Sequence, residues 1–288
     1  QRATAGTCRL HRRSLQRAHF SALTVRPVTG TFGAEVLGVD LSKNPSADES
    51  NHILTAFEQY GVIFFREQSL TKDDHVRFAR LFGTPDVHPI VQGLESHPEI
   101  LRITKEESEP TNFGETWHSD NSYLETPSLG SILVGREVPE YGNDTMFCCM
   151  HTAYDTLSMG MRRMLDGLSA VHSASAAFSG DDPVRQERYS GEDQAMKYKE
   201  SEQLEQEVQH PVVRTHPVTG RKALYVNSMF TLRFADMSEE DSRPLLQYLF
   251  AHIAGSPALQ LRFRWAPGSI AVWDNRAVQH MAIGDGGK

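Results

Sequence analysis

Short strand-like runs, each cut off by a turn, recur along almost the whole chain. Ala22 to Val28 ends at Pro27 and Gly30, and Phe32 to Leu41 is punctuated by Gly33 and Gly38. Val62-Ile63-Phe64-Phe65 is a continuous apolar run of the length of a buried strand. Ile100 to Thr104, Ser128 to Glu137, Thr145 to Met150, Leu259 to Trp265 and Ser269 to Asp274 read the same way, and Pro267-Gly268 turns the chain between the last two. Pro211 to Thr215 and Arg221 to Val226 flank His216-Pro217-Val218-Thr219-Gly220 as a hairpin. Helical patterns are fewer. Ser46 with Glu49 forms a capping box before Ile53, Leu54, Phe57 and Tyr60, and Gly61 stops that helix. Thr71 caps a second, Thr152 to Leu168 has helical character, and Ser238 with Asp241 opens another. Many short strands with a few helices predict a mainly β fold, a sandwich or jelly roll with helices packed outside.

The 288 residues suffice for one large domain, and 39% hydrophobic content allows a sizeable core. A net charge of −8 argues against nucleic acid as a partner. No apolar run approaches the roughly 20 residues that span a membrane. Three cysteines, two of them adjacent, imply no disulfide framework, which suits a reducing compartment and a cytoplasmic location. Residues 1–21 carry five arginines and no acid, as a transit peptide or a disordered basic arm would. Residues 22–288 are expected to form one domain. Ser175 to Gln209 lacks apolar periodicity and reads as a lid, or else as a solvated insertion.

Chemistry enters at Trp117-His118-Ser119-Asp120. In a strand, residues i and i+2 share a face, so His118 and Asp120 would aim an imidazole and a carboxylate at one point. That donor pair suits a borderline divalent metal. Alone, an H-x-D pair is a common accident in a chain with 13 histidines and 37 acidic residues. A third ligand leaving open positions would complete the two-histidine, one-carboxylate triad of non-haem Fe(II) oxygenases. His280 has the best context for it, just past the strand ending at Asp274; the alternative is a structural histidine.

Four ordered motifs then make the chain recognisable: WHSDNSY (117–123), GNDTMF (142–147), HPVVRTHPVTGRKALYVN (210–227) and PGSIAVWDNRAVQH (267–280). With VTGTFGAEVLGVDLS (28–42) and VIFFREQSLT (62–71), the chain from about residue 22 onward resembles the taurine dioxygenase/2,4-dichlorophenoxyacetate dioxygenase family of Fe(II)- and 2-oxoglutarate-dependent oxygenases. The resemblance implies a double-stranded β-helix of the clavaminate synthase-like kind. It also implies that His118, Asp120 and His280 are the iron ligands and form the catalytic centre. Thr145 and Trp273 would contact 2-oxoglutarate, and dioxygen would take the remaining coordination position. The expected reaction hydroxylates a small organic anion and releases succinate and carbon dioxide; a homo-oligomer is expected.

Substrate positions depart from the taurine pattern. His88 matches a family histidine that meets the substrate's anionic group, or else caps its own loop. Phe178 and Phe230 keep aromatic walls, while Gly114, Ala177 and Val91 replace hydrogen-bonding residues. Sites built for a polar substrate depend on such partners, so an aryloxyalkanoate, alkyl sulfate or alkyl sulfonate is expected rather than taurine. The resemblance further implies an arginine pair beyond the distal histidine. The sequence stops at Lys288, eight residues past His280, so its C-terminus is expected to be incomplete. Residues 8–15 (CRLHRRSL) are faintly similar to that strand, with Arg12 as a candidate replacement. The competing expectation is a metal-binding homologue without catalysis.

Overall fold

The computed structural model describes residues 23–105, 113–178, 199 and 201–286. Five strands form one sheet in the order β1 (Thr24–Pro27), β2 (Ala34–Leu37), β3 (Val62–Phe65), β12 (Ile270–Asp274) and β4 (Gly130–Val134). A second sheet orders β11 (Gln260–Phe263), β5 (Thr145–Cys149) and β13 (Val278–Ala282). The chain crosses between these sheets from β4 to β5, and again from β11 to β12 to β13. Apart from the parallel β2–β3 pair, all pairings in both sheets are antiparallel. This is the double-stranded β-helix expected from the sequence, mainly β with flanking helices.

The all-apolar run of β3 is explained by its two covered faces. Val62 and Phe64 join Phe147, Phe263, Ala271 and Trp273 in the core between the sheets. Ile63 and Phe65 join Ile270 and Val272 on the other face, against Ile53 and Phe57 of α1 (Ala47–Tyr60) and Phe78 of α2 (Lys72–Ala79). Alternation on the pleat thus serves two cores with one strand. Phe64 stacks on Phe263 with centroids 4.1 Å apart and planes 9° apart, fixing the spacing of the sheets. Both flanking helices begin with a capping box, Ser46 with Glu49 and Thr71 with Asp74. Gly61 ends α1 at φ 70°, where the turn into β3 requires the left-handed region.

A third sheet of β10 (Thr231–Phe234), β6 (Ser169–Ser173) and β7 (Glu207–Pro211) was not foreseen, nor was that extent of β7. Strand β6 reads Ser-Ala-Val-His-Ser, and its buried His172 and Ser173 disguise a core strand as a polar segment. The expected hairpin is β8 (Val213–Thr215) with β9 (Lys222–Leu224). The helix expected over 152–168 is two: α3 (Met150–Asp155) and α4 (Met159–Leu165). The Thr156 hydroxyl donates to the Thr152 and Ala153 carbonyls, closing α3, and Ser158 caps α4. The capped helix at Ser238 is α6 (Glu239–Gly255), and its Leu246, Leu249 and Ile253 pack under the third sheet.

No strand forms at 100–104. The Ile100 backbone is held by turn bonds to Leu94 and His97, and Ile103 is 47% exposed. Apolar periodicity there lacks a neighbouring strand among the described residues. The basic arm and Arg12 lie outside the described residues. So does most of the expected lid; its described margins are α5 (Ser175–Phe178), a 3-10 turn at Glu202–Leu204 and β7.

Candidate active site

His280 lies within β13, not beyond the last strand, where its Cα pairs with Phe147 of β5. On its other side it forms an antiparallel bridge with His118, through His118 N–H to the His280 carbonyl at 3.1 Å and the reverse bond at 2.9 Å. The H-x-D stretch therefore extends the second sheet by a single bridge. The expected strand geometry holds only at His118, because Asp120 already lies in a turn and Asn121 has φ 55°. The turn still returns Asp120 to the right place. Its Oδ1 is 3.4 Å from His118 Nε2 and 3.7 Å from His280 Nε2, and the rings' centroids are 4.2 Å apart.

The three donor atoms lie within 4.8 Å of one another. Donors bound at about 2.1 Å to one ion and at right angles stand about 3 Å apart, so a small contraction accommodates a divalent metal. Tautomers agree with this. His118 Nδ1 sits 2.6 Å from the Thr116 carbonyl, which can only accept, so the proton is on Nδ1 and the Nε2 lone pair faces the centre. His280 also turns Nε2 inward, and its buried Nδ1 has no hydrogen-bond partner among the described residues. Burial, and then the His118 imidazole, push His280 down to about 3, with Asp120 opposing. For Asp120, burial works upward, and the Ser131 hydroxyl donating to Oδ2 works against it, with the carboxyl held well below its ordinary range. Two neutral imidazoles and one carboxylate form a donor set suited to Fe(II).

Around this centre, Trp273 tilts against His280 at 4.5 Å between centroids. Thr145, buried at the start of β5, accepts the indole N–H of Trp265 at 2.9 Å. His88 approaches from the loop after α2. Its Nδ1 accepts from the Ile90 and Val91 amides at 3.1 and 2.9 Å, so Nε2 carries the proton and faces the Tyr123 hydroxyl at 3.3 Å. Burial, with the Lys199 charge adding and Asp120 opposing, holds His88 down at about 4. Ile90, Tyr123 and Phe230 cluster with Phe178 and Ala177, and the Phe230 ring lies 6.2 Å from that of His118.

Comparison with known proteins decides the family. Residues 24–287 match the family described as "Taurine catabolism dioxygenase TauD, TfdA family". The chain belongs to this family. Among similar TauD, TfdA proteins, an α-ketoglutarate-dependent sulfate ester dioxygenase of Pseudomonas putida is 35% identical over 274 residues, spanning 93% of this chain and 87% of that protein. An alkylsulfatase of Acinetobacter baylyi is 32% identical over 270 residues, spanning 92% and 81%. The crystal structure of a taurine dioxygenase from Burkholderia xenovorans superposes with a TM-score of 0.73 at 33% identity, covering 91% of this chain and 83% of that one. This TauD, TfdA chain is accordingly an oxidoreductase, a dioxygenase using Fe(II), 2-oxoglutarate and dioxygen. The non-catalytic alternative is not favoured. No helix among the described residues is long and apolar enough to cross a membrane.

Gly114 is nearer to the centre of this TauD, TfdA fold than its lack of a side chain suggests. Its carbonyl accepts from the Ala282 amide at 2.8 Å, φ is +78°, and a Cβ there would stand 3.1 Å from His118 Cε1. Ser131, Asn275, Thr116 and Tyr123 were missed as parts of the site. For Ser131 there was a signal: it is the polar residue in the otherwise apolar Ser-Ile-Leu-Val run of β4.

Proposed function

We propose that the chain hydroxylates an alkyl sulfate ester or a closely related small organic anion, with taurine a poor substrate. The site's asymmetry carries this reading: among the described residues, the His88 Nε2–H and Tyr123 hydroxyl pair stands beside the apolar rings of Phe178 and Phe230. A compact anionic head with an apolar tail fits that division. Two relatives named for sulfate esters support the same class.

His118, Asp120 and His280 are proposed to hold the iron. Bound there with 2-oxoglutarate and dioxygen, it supplies the oxidising power that couples decarboxylation to succinate and carbon dioxide with insertion of one oxygen atom into a substrate C–H bond. The chain's own groups position the reactants and exclude water. Thr145 accepts the Trp265 N–H, which leaves its own proton to donate to a 2-oxoglutarate carboxylate. Trp273, against His280, walls the cosubstrate side. His88 would turn its Nε2–H from the Tyr123 hydroxyl to the substrate's anionic group, and its acceptance of the Ile90 and Val91 amides through Nδ1 keeps the proton on Nε2. Gly114 has no Cβ to crowd the His118 ring, from which one would stand 3.1 Å. Hydroxylation of a carbon bearing a sulfate ester oxygen gives a hydroxy sulfate, which collapses to an aldehyde and inorganic sulfate.

Succinate release under air, measured with Fe(II) and 2-oxoglutarate across alkyl sulfates, alkyl sulfonates including taurine, and aryloxy acids, tests the proposal. The expected order places an alkyl sulfate first, with sulfate and aldehyde formed one to one with succinate. Taurine at the head of the series, or succinate formed with no substrate oxidised in any class, would overturn it.

A further inference from the structure

Asp120 does more than point at two imidazoles. Its two oxygens have different environments. Oδ1 faces His118 and His280, whereas Oδ2 accepts the Ser131 hydroxyl at 2.6 Å. Ser131 is directed from its own far side, where its oxygen accepts the Asn275 side-chain N–H at 3.1 Å. Asn275 is fixed in turn. An indole N–H can only donate, and that of Trp273 reaches Asn275 Oδ1 at 3.0 Å, so the amide nitrogen must face Ser131. The same Asn275 Oδ1 accepts the Asp120 backbone N–H at 3.3 Å. Every proton in the chain from Trp273 to Asp120 therefore has one direction. The strand register builds it, because Ser131 of β4 lies opposite Trp273 of β12 and both face the core between the sheets.

This arrangement bears on coordination number. Six positions on an octahedral ion accommodate three protein donors, two oxygens of a 2-keto acid and dioxygen only if the carboxylate uses one oxygen. A bidentate Asp120 would occupy the position dioxygen needs. We infer that Ser131 and Asn275 are positioning residues that hold Asp120 to the metal through Oδ1 alone by keeping Oδ2 engaged. The inference rests on the reading of His118, Asp120 and His280 as the metal centre. Outer partners of this kind typically change metal affinity by about 10- to 100-fold.

Anaerobic titration of the full chain with Co(II), followed by heat and by visible absorption, separates the two claims. Wild type should bind one equivalent, and Asp120→Ala should not; no binding by wild type, or equal binding by Asp120→Ala, would refute the metal centre itself. Ser131→Ala should bind about 10- to 100-fold more weakly, with a shifted Co(II) spectrum as Oδ2 becomes free to coordinate. Ser131→Thr, which keeps the hydroxyl, should restore both affinity and spectrum, a rescue that a role in packing alone would not produce. Asn275→Ala should shift the spectrum in the same direction, and the loss in Ser131→Ala/Asn275→Ala should be smaller than the sum of the two single losses, since part of the Asn275 effect runs through Ser131. If Ser131→Ala does not fold, Asn275→Ala carries the same comparison without altering β4. Wild-type affinity and spectrum in whichever of these variants folds would overturn the inference and leave the metal centre standing.

Discussion

At the scale of single residues, the site depends on groups whose ionisation the fold suppresses. His172 is the clearest outside the metal centre. It is fully buried in β6, with Nδ1 3.2 Å from the Ser122 hydroxyl and Nε2 3.3 Å from that of Thr231. Burial, and then the neighbouring His210 and Arg214, push it down to about 3, against a backbone bond near Tyr225. The unfolded chain takes up this proton below about pH 6.5, and the folded chain refuses it until about 3. Stability from neutral His172 is therefore complete above pH 6.5 and is lost as pH falls toward 3, by up to about 1.4 kcal/mol per pH unit. In chelator-treated protein, the urea midpoint should fall between pH 7 and pH 5, and His172→Gln should flatten that fall. Equal slopes in the two proteins would refute the assignment. Gly114 makes a second residue-scale prediction. Asn tolerates its positive φ, but a Cβ at 3.1 Å from the His118 ring requires the imidazole to shift by a few tenths of an ångström. Gly114→Asn should lower kcat for succinate release by about tenfold or more, equivalent to a ligand-placement cost above 1 kcal/mol, with far-UV circular dichroism unchanged.

At the scale of elements, the close pairing of β4 with β12 positions both Ser131 and Trp273. A Cβ on Gly130 would meet the Trp273 carbonyl at 2.5 Å, against backbone that cannot swing aside. Gly130→Ala should cost roughly 1–3 kcal/mol in urea unfolding, as an overpacking change, and should weaken metal binding through Ser131. Phe64→Ala would empty the stack between the sheets and should cost about 3–5 kcal/mol, and it would loosen Phe147, which packs on His280. The same elements show what the sequence made legible. Strands β3 and β12 could be read because both of their faces are apolar, and the helices because Ser46, Thr71 and Ser238 announce their starts. His118, Asp120 and His280 could be read from spacing and motif. Strand β6 could not, since its buried His172 is satisfied by the hydroxyls of Ser122 and Thr231, both distant in sequence. The 152–168 helix misled because its break depends on a hydroxyl bonding back to carbonyls. Ser131 and Asn275 belong to no spacing rule; only the register of β4 against β12 brings them to Asp120.

At the scale of the whole molecule, the three donors draw together the two sheets, which share one core, and the stretch that carries His118 and Asp120. His280 belongs to the three-stranded sheet, and His118 is attached to that sheet by one bridge. Asp120 is bonded to Ser131, and through it to the five-stranded sheet. A bound ion would therefore clamp the open side of the β-helix, in addition to the Phe64–Phe263 stack inside it. Because such a site exists only in the folded chain, binding adds stability by mass action, about 2.7 kcal/mol at a free metal concentration one hundred times Kd. For a domain of this size that corresponds to several degrees in Tm. Mn(II) under nitrogen should raise the Tm of wild type with a single transition and leave Asp120→Ala unmoved, while Ser131→Ala should need a higher Mn(II) concentration for the same rise. A two-step transition in which only one part of the molecule responds would show that the ion orders a local loop. A single shifted transition would show that the ion stabilises the two sheets and the Asp120 turn together, as expected where the sheets share one core and Asp120 is bonded to Ser131.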